Sequence, residues 1–253
     1  MTDQLRAFAA GIQFLTRIPT PAAATHDAND LARSTPYFPL IGAIVGLFGA
    51  GLYWLALLGW PAFVAAALAV VGMIWMTGAF HEDALADACD GFGGGWDREQ
   101  VLAIMKDSRI GSYGAVAVAI AVVLKVGALA ALPPADAVRA LVAAHVLARW
   151  SSLPLIWGLP YVRETSGVSK PFAASVTPAR LAAGTAVAMA VLAVVLGTRA
   201  LPVLVLAMVV TGLSGAYFRR RIGGITGDCL GAANQFVEVA TYLALSFRLT
   251  PTT

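Results

Sequence analysis

Residues 78–114 read GAFHEDALADACDGFGGGWDREQVLAIMKDSRIGSYG and hold seven of the chain's 14 acids: Glu82, Asp83, Asp87, Asp90, Asp97, Glu99 and Asp107. On a helix, at about 100° per residue, Asp83, Asp87 and Asp90 fall within about 60° of one another, with Glu82 to the side. Like charges at that spacing repel and raise one another's pKa. A divalent cation removes the repulsion. Hard Mg²⁺ takes oxygen ligands, keeps waters, and joins one or two carboxylates to substrate phosphates. Glu82, Asp83, Asp87 and Asp90 are therefore candidate metal ligands, with Asp87 and Asp90 also placed at the chemistry. The plain alternative is an acidic helix end facing water. Seven acids in one connection, in a chain only 12% charged, weigh against it.

The neighbouring residues suit phosphate. Gly93, Gly94 and Gly95 lie in GFGGGW, where glycine exposes backbone N–H groups and lets a bulky anion approach. The same glycines also end a helix. Lys106, Arg109 and Ser112 precede the next apolar run, and cations beside a helix N-terminus favour a phosphate. The other reading of Lys106 and Arg109 is an ordinary basic flank of a membrane segment. In RRRIGGITGDCLGAANQ (219–235), Asp228 is a further metal or substrate ligand or a helix N-cap. Arg219, Arg220 and Arg221 grip phosphates or anchor a helix at anionic lipid. His81 is a candidate general base for a substrate hydroxyl, a group behind the metal ligands, or an interfacial residue. Carboxylates, a divalent ion and cations are the parts phosphoryl transfer needs. No Ser-His-Asp or Cys-His arrangement is evident in the sequence.

The elements that must carry these residues are membrane helices. The 253 residues are 59% hydrophobic, and the mean hydropathy is +0.78. A soluble domain is about 25% charged. Apolar runs of about 20 residues, enough to span a bilayer, occur at 37–58, 61–80, 113–132, 137–159, 181–197, 201–218 and 230–247. The second run is expected to continue as helix into the acidic segment. The N-terminus does not read as a cleaved signal peptide, because charges interrupt its apolar residues. Leu5, Phe8, Ile12 and Leu15 fall instead at helical spacing, giving an amphipathic helix on the membrane surface or one packed on the bundle. The expected fold is all-α: a polytopic bundle of about seven transmembrane helices plus that interfacial helix, in one domain over residues 1–253.

With the N-terminus in the cytoplasm, most Lys and Arg fall on the cytoplasmic side, as the positive-inside rule requires. Loops 78–112, 160–180 and 219–231 then share one face and can build one site. Cys89 and Cys229 have no CxxC partner, so no zinc framework or disulfide set is indicated. Each lies beside an acidic motif, so both are expected in the same compartment. His145 and Arg149 stand one turn apart in the fourth run, and buried ionisable groups there are suspect. Lys125 in the third run receives no assignment. GAIVG (42–46) fits close helix packing and nothing more.

HEDALADACDGFGGGWDREQVLAIMKDSRIGSYG (81–114) closely resembles the signature of the cobalamin synthase family, the adenosylcobinamide-GDP ribazoletransferases. FLTRIP (14–19), YFPLIGAIVG (37–46) and GGITGDCLGA (223–232) fit the same pattern. Ala84 stands where Gly is expected and Cys89 where Ala is more usual, and neither removes a carboxylate. The resemblance implies condensation of adenosylcobinamide-GDP with α-ribazole or its 5'-phosphate, release of GMP, and a requirement for Mg²⁺. It implies that Glu82, Asp83, Asp87 and Asp90 hold Mg²⁺, with Asp228 completing the site. Lys106 and Arg109 neutralise the diphosphate, and His81 accepts the hydroxyl proton. The expected setting is the bacterial inner membrane, with the site cytoplasmic, the bilayer as partner and no nucleic acid. Self-association, or association with other corrinoid-pathway enzymes, stays open. An ion-coupled transporter is the first rival, but the acids lie in a loop at one face. A diphosphate prenyltransferase is the second, but the third loop supplies only Asp228 instead of a second acidic motif.

Overall fold

A computed structural model describes residues 2–20, 28–163 and 176–247. Every extended apolar run is helical, because a backbone with no water to bond must satisfy its own N–H and C=O groups. In order, the helices are α1 (Asp3–Leu15), α2 (Ala28–Arg33), α3 (Phe38–Ala56), α4 (Ala62–Thr77), α5 (Phe80–Gly94) and α6 (Arg98–Ile104). They continue with α7 (Ser112–Ala130), α8 (Pro134–Gly158), α9 (Pro178–Leu196), α10 (Ala200–Ile222) and α11 (Gly227–Ser246). All seven expected runs are present as α3, α4 and α7–α11. Among the described residues, four stretches are long and apolar enough to cross a membrane: Thr35–Ala56, Ser112–Ala130, Pro134–Gly158 and Pro178–Ile222. The last is a hairpin. Gly197, at φ 57°, breaks it, and the two arms lie on α8 with Gly184 against Leu153 and Gly215 against Leu155. Both far ends thus meet the same end of α8.

Helix α8 is the central post and is almost wholly buried. Helix α3 packs directly on it at Gly42 and Gly46. A Cβ on Gly46 would sit 2.6 Å from the Val142 Cα, so GAIVG is the place where two backbones touch. Helix α1 is amphipathic as expected. Its Ala7, Ala10, Gly11, Ile12 and Leu15 are buried, and Gly11 lies against Ile41 and Ser34.

The second run does not continue straight into the acidic segment. Helix α5 leaves α4 at 88°. Gly78 and Ala79 both adopt left-handed backbone, at φ 69° and 58°, and end the helical path. Glycine takes that conformation freely, whereas Ala79 is strained there by about 1–2 kcal/mol. Arg17 holds the corner. Its N–H donates to the Met76 carbonyl at 2.7 Å, and its guanidinium lies against Gly78, where a Cβ would collide. FLTRIP therefore braces the bend that aims the acidic helix. Helix α5 lies outside the four spanning stretches and runs across the bundle end, packed on α11 and α7.

Candidate active site

Helix α5 keeps the predicted acidic stripe but divides its members among different partners. It lies antiparallel to α11. Gln235 meets Glu82, Gly231 meets Ala84, and Asp228 influences Asp87. Asp83 is exposed and Asp87 half-buried. Burial pushes the Asp87 carboxyl up to about 6, and the negative charges of Asp228 and Asp83 add to the push. Arg163 opposes it. Its guanidinium is 2.8 Å from Asp228 Oδ2 and donates to the Met105 carbonyl at 3.1 Å. Asp83, Asp87, Asp228 and Arg163 therefore form one electrostatic unit, built from two helices and a loop.

Asp90 faces elsewhere. Its Oδ2 accepts the Gly111 N–H at 2.7 Å and its Oδ1 the Gly114 N–H at 2.8 Å. The first turn of α7 has no local side-chain cap, and Asp90 supplies one from α5. Glu82 turns into the bundle. Its Oε1 accepts from Gln235 Nε2 at 3.0 Å and lies 3.5 Å from Lys125 Nζ. Lys125 is buried, donates to Gln235 Oε1 at 2.6 Å, and pairs with Glu238 at 2.9 Å. Beyond Glu238 come His145 at 3.5 Å and Arg149 at 3.8 Å. His81 is buried on this inner side, with Nδ1 3.5 Å from Arg149 Nη2. The structure thus groups His81 and Glu82 with an interior ionic network, away from the exposed face of Asp83.

Lys106, Arg109 and Ser112 are all exposed at the end of the bundle where α6 leads into α7. Arg109 bonds Asp107 at 2.6 Å, and those hydrogen bonds hold the Asp107 carboxyl down to about 2. The glycines have steric partners. A Cβ on Gly93 would sit 2.7 Å from the Tyr113 ring, one on Gly94 3.3 Å from Ile104, and one on Gly95 2.6 Å from the Val101 nitrogen. These positions let α6 and α7 fold close to α5.

The three expected loops do meet. Ile225 N–H donates to the Pro160 carbonyl at 2.9 Å, and Val162 N–H to the Ile225 carbonyl at 3.0 Å. Arg221 ties the third loop to the first, donating to the Gly95 carbonyl at 2.8 Å and the Phe92 carbonyl at 3.3 Å. Lys170 and most of the second loop lie outside the described residues. Sequence reasoning gave no role to Arg163 or Glu238. The available signal for Glu238 was its spacing from Asn234 and Gln235, one turn along an otherwise apolar helix.

A family profile described as cobalamin-5-phosphate synthase matches residues 7–246. The chain belongs to that family. A relative from Shewanella frigidimarina named adenosylcobinamide-GDP ribazoletransferase is 44% identical, over 96% of this chain and 94% of its own length. Relatives of the same name from Leptothrix cholodnii and Shewanella oneidensis are 42% and 41% identical, each over 96% of this chain. No solved structure matches. As a cobalamin-5-phosphate synthase family member, the protein is a membrane transferase of cobalamin biosynthesis.

Among the described residues, no three His, Cys, Asp or Glu side chains stand close enough to enclose a metal ion by themselves. The donor chemistry nonetheless fits Mg²⁺. Asp87 and Asp228 are hard oxygen donors whose mutual repulsion is only partly relieved by Arg163. Mg²⁺ characteristically takes one or two such carboxylates and fills its other positions with water and substrate phosphate.

Proposed function

We propose that this protein transfers the adenosylcobinamide phosphate group from adenosylcobinamide-GDP to α-ribazole or its 5'-phosphate, releasing GMP, at the cytoplasmic face of the inner membrane. The supporting observation is the meeting of Asp87 with Asp83, Asp228 and Arg163 where three loops converge. The names of the relatives supply the two substrates, adenosylcobinamide-GDP and ribazole.

In this reading the ribose hydroxyl oxygen of the acceptor attacks the phosphorus nearest cobinamide. The bond to the GMP oxygen breaks, and the hydroxyl proton leaves to a base. Asp87 and Asp228 would hold Mg²⁺, with the Asp83 charge nearby, and the ion when bound would neutralise charge on the phosphate oxygens. Lys106, Arg109 and Ser112 receive the diphosphate at the exposed end of α7. Asp90 and Glu82 fix the position of α5, and His81 lies against Arg149 in the interior network.

The test is direct. Protein in nanodiscs is given adenosylcobinamide-GDP, α-ribazole and Mg²⁺, and GMP and the corrinoid product are followed by chromatography with an EDTA control. Metal-dependent formation of both is expected. Folded protein that forms neither overturns the reading.

A further inference from the structure

On the flank of α5 away from Asp83 and Asp87 lies a cavity of about 860 Å³ between α5, α7, α10 and α11. Its walls include Phe92, Val116, Ile120, Leu213, Tyr217 and Phe236. Val116, Ile120 and Leu213 are exposed on stretches apolar enough to cross a membrane, so the groove opens sideways into the hydrocarbon. It is almost purely apolar along its length, and one end is strongly charged. On α10, Leu213 and Tyr217 form one stripe, and one turn further the stripe reaches Arg220 and Arg221. The Arg221 guanidinium lies 5.6 Å from the centroid of the Phe92 ring and 5.7 Å from that of Tyr217, on the wall of the groove itself. Arg220, one position before it on the same side of α10, is exposed.

We infer that the groove is a binding site for one anionic phospholipid, with an acyl chain along α7 and α10 and its phosphate at Arg220 and Arg221. The charge pattern decides the occupant. Hydrocarbon walls that open to the bilayer suit a chain, and cations at the end of the stripe select a negative head group over a zwitterionic one. The site also has a use. Cys89, Phe92 and Gly93 form its inner wall and belong to α5, so the bound chain buttresses the helix that carries Asp83 and Asp87.

Delipidated protein in detergent is titrated separately with phosphatidylglycerol and phosphatidylcholine, and bound copies are counted by native mass spectrometry. One phosphatidylglycerol is expected to be retained in preference to phosphatidylcholine. Arg220→Gln, at an exposed position, should weaken it about five-fold, the worth of one surface cation near an anionic lipid. Ala117→Phe fills the groove and should remove it, with an unchanged thermal transition as the folding control. Because Arg220→Gln changes only a surface charge, its result stands even where Ala117→Phe unfolds the protein. Equal retention of the two lipids, or phosphatidylglycerol binding unmoved by Arg220→Gln, overturns the inference. So does an Ala117→Phe protein that keeps its lipid but shows a raised KM for α-ribazole, since the groove would then hold the nucleoside. All of these readouts except the last are independent of turnover, so the lipid site and the proposed reaction fail separately.

Discussion

Asp90 and Gly114 lie 24 positions apart and are joined by a 2.8 Å hydrogen bond from the Gly114 N–H to Asp90 Oδ1. With the Gly111 N–H at 2.7 Å on the other oxygen, one carboxylate on α5 closes the open N-terminus of α7. Gly114 has no room for a side chain, since a Cβ would meet both Asp90 and the Ala86 carbonyl. The acidic helix and the N-terminal end of α7 are thus tied together.

Asp90→Asn should therefore act on the frame. An amide offers one acceptor oxygen where two are needed, and losing a charged cap costs about 1–3 kcal/mol. The thermal transition is expected to fall along with activity, while the Mg²⁺ concentration giving half-maximal activity stays put. Gly114→Ala should reproduce both effects. A Mg²⁺ requirement raised more than about ten-fold in folded Asp90→Asn protein would return Asp90 to the metal site.

Asp87→Asn and Asp228→Asn should behave in the opposite way. Asp87→Asn removes a charge that Asp228 and Asp83 repel, so folding should not suffer, whereas Asp228→Asn also gives up the ion pair to Arg163 and should cost some stability. Turnover should drop at least about 100-fold if they hold Mg²⁺ and substrate. Thermal melts and turnover on the same preparations check this. Wild-type turnover in both variants would remove the carboxylate assignment.

The interior network makes a stability prediction. Lys125 and Glu238 are both 2% exposed and lie 2.9 Å apart. Glu238→Gln removes the nearest carboxylate from Lys125, leaving it Glu82 at 3.5 Å, and takes the carboxylate from Arg149, a loss of about 3–5 kcal/mol. Lys125→Met combined with Glu238→Gln should recover only part of that loss, because Glu82 and Arg149 stay buried without these partners. A double-mutant cycle on thermal unfolding measures the coupling. Additive effects of the two single changes would mean that the pair contributes nothing as a pair.

The fold was legible where one physical signal dominated. Apolar runs gave the helices, and the Lys and Arg bias put three loops at one face, where Pro160, Ile225 and Met105 now meet through backbone and Arg163 contacts. The bend at Gly78 and Ala79 was not legible. It depends on Arg17, some 60 positions earlier, and nothing in the local sequence announces a left-handed Ala. The sorting of the acids was hidden for the same reason. Periodicity put Asp83, Asp87 and Asp90 on one stripe, but only tertiary contacts assign Asp90 to α7, and Glu82 to a glutamine 153 positions away. Glu238 was overlooked because a lone acid in an apolar helix has meaning only once Lys125 is found opposite.

Arg163 holds Asp228 at 2.8 Å and the Met105 carbonyl at 3.1 Å, bridging all three loops. Both contacts are made by Nη2, and Arg163→Lys keeps the charge but loses the fixed in-plane direction of that nitrogen's two N–H groups. It should raise the KM for adenosylcobinamide-GDP more than it lowers kcat, since loop placement suffers before chemistry does. Arg163→Ala should do both. Steady-state kinetics separates the two terms, and a lysine variant with unchanged KM would show that charge alone suffices.

The membrane orientation can be tested without the native cysteines. Cys229 is buried and Cys89 half-buried within the packed helices, so a reagent added from either side should label Cys229 poorly. Trp96 is a better reporter. It is 93% exposed, one residue beyond the glycine run and on the same loop as Lys106 and Arg109. With both native cysteines changed to Ala, Trp96→Cys should react with a membrane-impermeant maleimide only after cells are opened. Its N–H contact to Gln100 is made by backbone, so the substitution leaves the loop hydrogen bond in place. Labelling of Trp96→Cys in intact cells would put the acidic loop outside and remove the cytoplasmic assignment of the whole site.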